Sequence, residues 1–456
     1  MRNETKAILH GENVNEISAA KACNQFSKPH TAIAPIMSIV MIAGAMALVP
    51  AKAYSADLEE IKEEPAPVGF PDSLINAFKD GNILLNTRLR YEHVDQDSIA
   101  NNGDALTFRA RFGYETADFH GFKLLTEGDF TRDLGVGDFN DTTNGLGGIF
   151  PVVADPDSTR LNRLHLTYQG IIPDTKFIAG RQRIKLVNDR FVGNVGFRQN
   201  EQTYDAIRVQ NTSVENLTLD YSYVNQVNRI FGSESFQGNE DTNSHFFNAT
   251  YALPFGKVTG YGYLLDFEDQ LVNASTANFG GRVDLKHKID EDWTVGFVGE
   301  FANQTDFADN VNDISNNYYL IQGTAGWRGL TFKAAFEVLE GDGNVGFSTP
   351  LATLHAFQGD ADVFLATPAD GIEDLQFGLD YKIKALPYLG DTRIKAVYHR
   401  FETENTSVDL GDEFDFGIYT KPLKGFSASV EYANFQSDTP AISDIQRLFL
   451  TVGFKL

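Results

Sequence analysis

The sequence predicts an all-β protein, a transmembrane antiparallel up-and-down β-barrel of eighteen strands, with sixteen as the smaller alternative. Three observations carry this. Hydrophobic alternation with period 2 runs from residue 82 to residue 456, short turns alternate with long polar loops, and nearly every segment sets an apolar face against a charged one. The composition agrees, because Gly 40, Phe 36 and Tyr 17 beside Trp 2 and Met 4 is strand-and-turn usage. A mean hydropathy of -0.25 excludes a bundle of transmembrane helices, but not a barrel whose strands are half apolar.

The apolar stretch at residues 33–49 reads as the core of a signal peptide. Arg2, Lys6, Lys21 and Lys28 precede it and Ala51-Lys52-Ala53 supplies a small-residue cleavage site, so residues 1–53 are assigned to the signal. An uncleaved anchor is the alternative. Cutting after Ala53 removes five bases and three acids from the 38 and 62 of the chain, leaving 33 against 59, a net charge of -26. It also removes Cys23, the single cysteine, so the exported chain needs no disulfide framework. Residues 54–81 read as an acidic, proline-containing periplasmic extension in which Ser73 caps a short helix over 73–80.

The barrel domain spans 82–456. Its segments are 83–92, 106–115, 121–133, 160–169, 175–187, 202–212, 216–229, 244–253, 257–268, 277–288, 292–303, 317–327, 330–340, 375–385, 391–402, 413–421, 426–437 and 443–456. Short turns, among them 170–174, 254–256, 328–329 and 422–425, alternate with loops as long as 134–159 and 341–374. A sandwich has no reason to gather its short turns at one end; a membrane barrel does. An even strand count puts both chain ends in the periplasm. The apolar face must then meet outer-membrane lipid and lipopolysaccharide, with Tyr91, Tyr114, Tyr168, Tyr221, Tyr223, Tyr251, Tyr381 and Tyr432 as an aromatic girdle.

Parity also sorts the charges. Residues alternating with the lipid-facing set point into the lumen, and this set contains Arg88, Arg90, Arg109, Arg111, Arg163, Arg181, Arg183, Lys185 and Arg208, with Arg282, Arg393, Lys395 and Arg447 on later strands. Most fall on one wall near the seam between the last strand and the first. Arginine predominates over lysine there, and its planar fork matches carboxylates bidentately. Arg190 and Arg198, in the loop after the fifth strand, are expected to fold inward and narrow the pore. Remaining acid, for example Asp155, Asp342, Asp360 and Asp362, is assigned to outer loops. Neither Gly341-Asp342-Gly343-Asn344 nor Asp360-Ala361-Asp362 spells the twelve-residue calcium loop, and no cofactor or metal is expected.

Two stretches resemble the alginate-export family of outer-membrane porins. One is Gly180-Arg-Gln-Arg-Ile-Lys-Leu-Val-Asn-Asp-Arg-Phe-Val-Gly193, continuing to Gly196-Phe-Arg-Gln-Asn-Glu-Gln-Thr-Tyr-Asp205; the other is Leu339-Glu-Gly-Asp-Gly343 with the segment 347–368. The resemblance implies an eighteen-stranded barrel whose arginine-rich lumen passes anionic polysaccharide or smaller anions. The last strand, with Leu448, Leu450, Val452, Phe454 and Leu456 at alternate positions, resembles the C-terminal signature of outer-membrane barrels, but ends in Leu rather than Phe.

The function classes narrow accordingly. So acidic a chain is unsuited to nucleic acid, whose binding relies on Lys and Arg. Histidines at 93, 120, 165, 245, 287, 355 and 399 lie in no G-x-S-x-G or H-E-x-x-H signature, and no P-loop is present, so an enzyme is not expected. The expectation is a monomeric channel for anionic solutes or acidic polysaccharide; the alternative is a structural or adhesive barrel whose loops at 134–159 and 341–374 bind partners.

Overall fold

The computed structural model describes residues 70–456; the signal segment, its cleavage site and most of the 54–81 extension lie outside the described residues. The chain opens with helix α1 (Phe70–Lys79). Eighteen strands follow among the described residues: β1 (Asn82–Gln96), β2 (Gly103–Glu115), β3 (Phe122–Asp133), β4 (Ser158–Gln169), β5 (Thr175–Gln182), β6 (Thr203–Asn211), β7 (Leu217–Asn228), β8 (Asn239–Leu253), β9 (Gly256–Leu265), β10 (Thr276–Lys288), β11 (Trp293–Asp306), β12 (Ser315–Trp327), β13 (Leu330–Leu339), β14 (Ile372–Leu386), β15 (Gly390–Glu402), β16 (Asp409–Lys421), β17 (Phe426–Ser437) and β18 (Ile445–Lys455). Each pairs antiparallel with its neighbours in sequence, and β1 closes on β18 from Asn86↔Lys455 to Gln96↔Ile445. The sheet therefore has no free edge. Eighteen, not sixteen, is the count.

Burial is inverted relative to a water-soluble protein. On β2, Arg109 and Arg111 are buried while Phe112 is 63% exposed; Phe279, Ile321 and Val452 are likewise more than half exposed. A continuous apolar surface of this kind faces outward all round the barrel, and charged side chains fill the inside. At the long-loop end, outward tyrosines hydrogen-bond to polar neighbours: Tyr223 to Asn243 at 3.0 Å, Tyr398 to Asp412 at 2.8 Å and Tyr432 to Gln446 at 3.0 Å. At the short-turn end Trp293 and Trp327 stand opposite each other, as do Phe426 and Phe454. Aromatic rings thus border the apolar band at both ends.

Helix α1 begins at Phe70, so Ser73 lies inside it rather than capping it. It rests against the short-turn end of β2, where the Ala117 amide donates to the Ala77 carbonyl at 2.9 Å and the Tyr114 hydroxyl donates to the Phe78 carbonyl.

Candidate functional site: the arginine wall and the loops that cross the lumen

The fifth strand ends five residues earlier than alternation suggests. Gly180 adopts φ 115, and a Cβ there would meet the Leu164 carbonyl at 2.4 Å, so only glycine allows the bend. The chain leaves the wall after Gln182 and runs through the lumen until β6 begins at Thr203. The loop between β13 and β14 also folds inward. The two meet where Val192 bridges to Leu351, with the Gly193 amide donating to the Leu351 carbonyl at 2.9 Å and the Thr353 amide to the Asp189 carbonyl at 3.0 Å. Apolar side chains glue them to the wall: Ile184, Phe191, Phe347 and Leu351 pack with the inward Tyr261, Tyr263 and Tyr318 in one buried cluster. The loop at 341–374 is thus largely lumenal rather than an outward partner-binding arm.

Ion pairs fix this crossing. Arg190, 1% exposed, donates to Glu337 at 2.8 Å and to Gln358 at 3.1 Å, with its guanidinium 4.6 Å from the Phe357 ring. Arg198 joins Glu92 of β1, at 3.0 Å, to Asp362 of the second loop, at 2.8 Å. Arg447 of β18 also holds Glu92, at 2.8 Å, and His355 holds Asp362 at 2.8 Å while stacking on Phe197 at 3.4 Å. Asp360 pairs with Lys395 at 3.1 Å. Asp155, Asp360 and Asp362 are therefore interior groups, not outer-loop acid; Asp155 accepts from the Gln199 amide at 2.6 Å. Among the described residues no group of three or more side chains stands ready for a metal, and the carboxylates of the 360–362 segment are matched by cations.

Glu201 anchors the return of the first loop. It accepts from Arg183 at 2.7 Å and Asn194 at 2.7 Å, with Arg111 at 3.3 Å. Burial pushes this carboxyl up, but Arg111 and Arg183 outweigh the burial and hold it well below the usual carboxylate range. Asp362 is likewise held low against its burial by His355 and Arg198.

Against these matched groups stand arginines with no carboxylate partner. Arg88 and Arg109 face each other across β1 and β2, and Arg90 is one inward position further up. Arg88 donates to Gln199 at 2.8 Å and to the Gly196 carbonyl at 3.1 Å; Arg90 donates to the Phe197 carbonyl at 2.8 Å and to Thr451 at 3.2 Å; Arg109 donates to Asn86. Arg160 of β4 donates to the Arg229 carbonyl at 2.9 Å. Carbonyls of the 196–201 segment cap Arg88, Arg90 and Arg160, Arg109 Nε and Arg160 Nε have no partner, and the carboxylates of Asp155, Asp129 and Glu201 act on this group from a distance without a direct ion pair. Arg90 and Arg109 are only 4% and 5% exposed, so this group acts on an ion in the lumen through its field rather than by open contact.

Of the arginines the sequence points to, Arg88, Arg90, Arg109, Arg111, Arg163, Arg208 and Arg393 are inward on strands. Four of these are neutralised: Arg111 by Asp129 at 3.0 Å, Arg163 by Glu127 at 2.7 Å, Arg208 by Asp220 at 2.9 Å, and Arg393 by Asp380. Arg183, Arg190 and Arg198 sit on the crossing loop, and Lys185 pairs there with Asp189 at 2.7 Å. Arg181 is the exception, because it stands opposite the exposed Leu164 and pairs outward with Asp205 at 2.7 Å. Gln182 and Tyr204 hold the inward positions beside it. Alternation also misses Arg160. A bulge opposite Glu127 and Gly128 puts Arg160, Asn162 and Arg163 all inside, and the outward leucines at 161, 164 and 166, spaced three then two, are its signature in the sequence.

No family model and no curated protein matches the chain. Solved structures match its fold. OccK9 (OpdG) of Pseudomonas aeruginosa aligns at TM-score 0.64 and 15% identity, covering 84% of this chain and 100% of that one. OccAB4 of Acinetobacter baumannii gives 0.62 and 15% over 82% and 98%, and OpdK of Pseudomonas aeruginosa, solved with vanillate, 0.63 and 13% over 82% and 98%. The resemblance to the alginate-export family stands on its two sequence segments alone. What the chain shares with these outer-membrane porins, at such identities, is the closed eighteen-stranded barrel.

Proposed function

We propose that this protein is an outer-membrane channel, not an enzyme, exported with a cleaved signal peptide, and that it passes small anionic solutes bearing carboxylates along the wall formed by Arg88, Arg90 and Arg109. The observation that carries this reading is that these three inward arginines have only neutral hydrogen-bond partners, while the arginines that hold the loops are matched by acids. The apolar belt with its aromatic borders supports a lipid setting. A structural neighbour solved with vanillate, an aromatic carboxylate, supports the small-solute class. Alginate-like polysaccharide, which the sequence resemblance suggests, fits less well, because a polymer strand would have to displace two loops held by buried ion pairs.

Purified protein in a planar bilayer is the test. Open channels should show anion preference in a salt gradient. A unit charge at 4 Å is worth about 1 kcal/mol even in water, or about fivefold in local anion occupancy. The triple variant Arg88→Gln, Arg90→Gln, Arg109→Gln should therefore lose most of that preference. Cation selectivity in the native protein, or an unchanged reversal potential in the variant, would refute the reading. Arg181→Gln should leave the reversal potential unaltered.

A further inference from the structure

Most inward arginines lie in the middle and upper barrel, whereas lysines gather at the short-turn mouth. A cavity of about 500 Å³ opens there between β14 and β18. Its cations are Lys382 and Lys384 from β14, Arg393 from β15 and Lys421 from β16. Arg393 is opposite Lys382 on one side and Tyr419 on the other, and the same register row continues through Ser429 and Thr451 to Arg90. The cavity therefore begins where the arginine wall ends, and Arg90 reaches its edge at Thr451.

Three acids lie around it, Asp391 being part of the lining; one is neutralised and two are hydrogen-bonded to neutral groups, so the four cations outnumber them. Asp380 holds Arg393, Asp391 accepts from the Ala385 amide at 3.1 Å, and Glu431 accepts from the hydroxyls of Tyr419 and Ser429, each at 2.8 Å. None of the three lysines enters an ion pair; the lysine pairs among the described residues are Lys185 with Asp189 and Lys395 with Asp360. Ammonium groups are compact point charges on flexible stems, suited to gathering around an anion of high charge rather than to forking one carboxylate. Ser427 adds a hydroxyl to the lining.

We propose that this cavity is a second anion site, at the short-turn mouth, that takes multiply charged oxyanions: a polycarboxylate or a phosphate. The site rests on the channel reading above and deepens it, giving the path two stages. Arginines with neutral partners pass a single carboxylate, and a lysine cluster holds anions of higher charge at the mouth.

The test is block of chloride current through single channels, with citrate or inorganic phosphate added to both chambers. Citrate should block more strongly than acetate, and phosphate block distinguishes a general oxyanion site from one needing several carboxylates. In the triple variant Lys382→Gln, Lys384→Gln, Lys421→Gln the blocking constant should rise at least about tenfold, three unit charges having been removed. The control removes equal charge from another part of the mouth, as Lys257→Gln, Lys286→Gln, Lys288→Gln, and should keep the block. Equal loss in both variants would leave only a diffuse mouth field and overturn the site. Native channels with anion preference but no block by either anion would overturn the site while sparing the channel, and absent conductance would remove both. Heat-modifiable migration in gels checks that each variant folds.

Discussion

Glu201 is the most heavily engaged carboxylate of the lumen, and removing its charge leaves Arg183 unpaired and Arg111 with Asp129 alone. Breaking a buried pair from one side costs about 3 kcal/mol, enough to free the returning half of the loop between β5 and β6. Glu201→Gln should therefore raise open-channel noise and mean conductance. The pH dependence follows from the lowered carboxyl value: a depressed acid stabilises fully above its unfolded value of about 4.3 and loses the contribution only as pH falls through the folded one. The native group is then ionised at both pH 5 and pH 8, and the variant should differ from the native channel equally at the two. A difference seen at pH 8 alone would mean that Glu201 is already protonated at pH 5. At this scale sequence reading succeeds wherever alternation is undisturbed, as at Arg88, Arg90, Arg109 and Arg111. It fails at Arg181, since above the apolar belt an outward charge meets water and its partner Asp205, and the amphipathic contrast that marks the outside is gone.

The strands themselves were legible because lipid and lumen demand opposite side chains at successive positions, which leaves a period of 2 in the sequence. The inward loops were not, beyond the expectation that Arg190 and Arg198 turn inside. Their path depends on contacts between segments far apart in the chain, such as Gln202 with the Leu351 carbonyl at 3.2 Å, 149 residues away, and no local pattern encodes these. Close approach of the two loops can still be tested as an element property. At Gly193 a Cβ would meet the Thr353 hydroxyl oxygen at 2.3 Å and the Asp189 Cβ at 2.8 Å. Gly193→Leu should force the loops apart at a cost of about 1–3 kcal/mol, typical of overpacking, without touching any strand pair. Single-channel conductance should rise while heat-modifiable migration stays native. If conductance is unchanged, the loops at this point do not limit flow.

Across the whole molecule, charge is sorted by surface rather than by domain. The full chain carries a net -24, yet many carboxylates inside the barrel are matched by cations of the wall and of the crossing loops, and exposed acid such as Asp138, Asp269 and Asp342 lies in the long-loop end. The outer rim and the lumen therefore act on an approaching anion with opposite sign, and salt separates them. The Debye length is about 10 Å at 0.1 M and about 3 Å at 1 M, so rim charges are screened out at high salt while groups lining a narrow path remain within reach of the permeating ion. The anion preference measured from reversal potentials should thus persist, or increase, between 0.1 M and 1 M potassium chloride at a fixed concentration ratio. A preference set by surface charge would decay towards zero over the same range, and that outcome would move selectivity from Arg88, Arg90 and Arg109 to the rim.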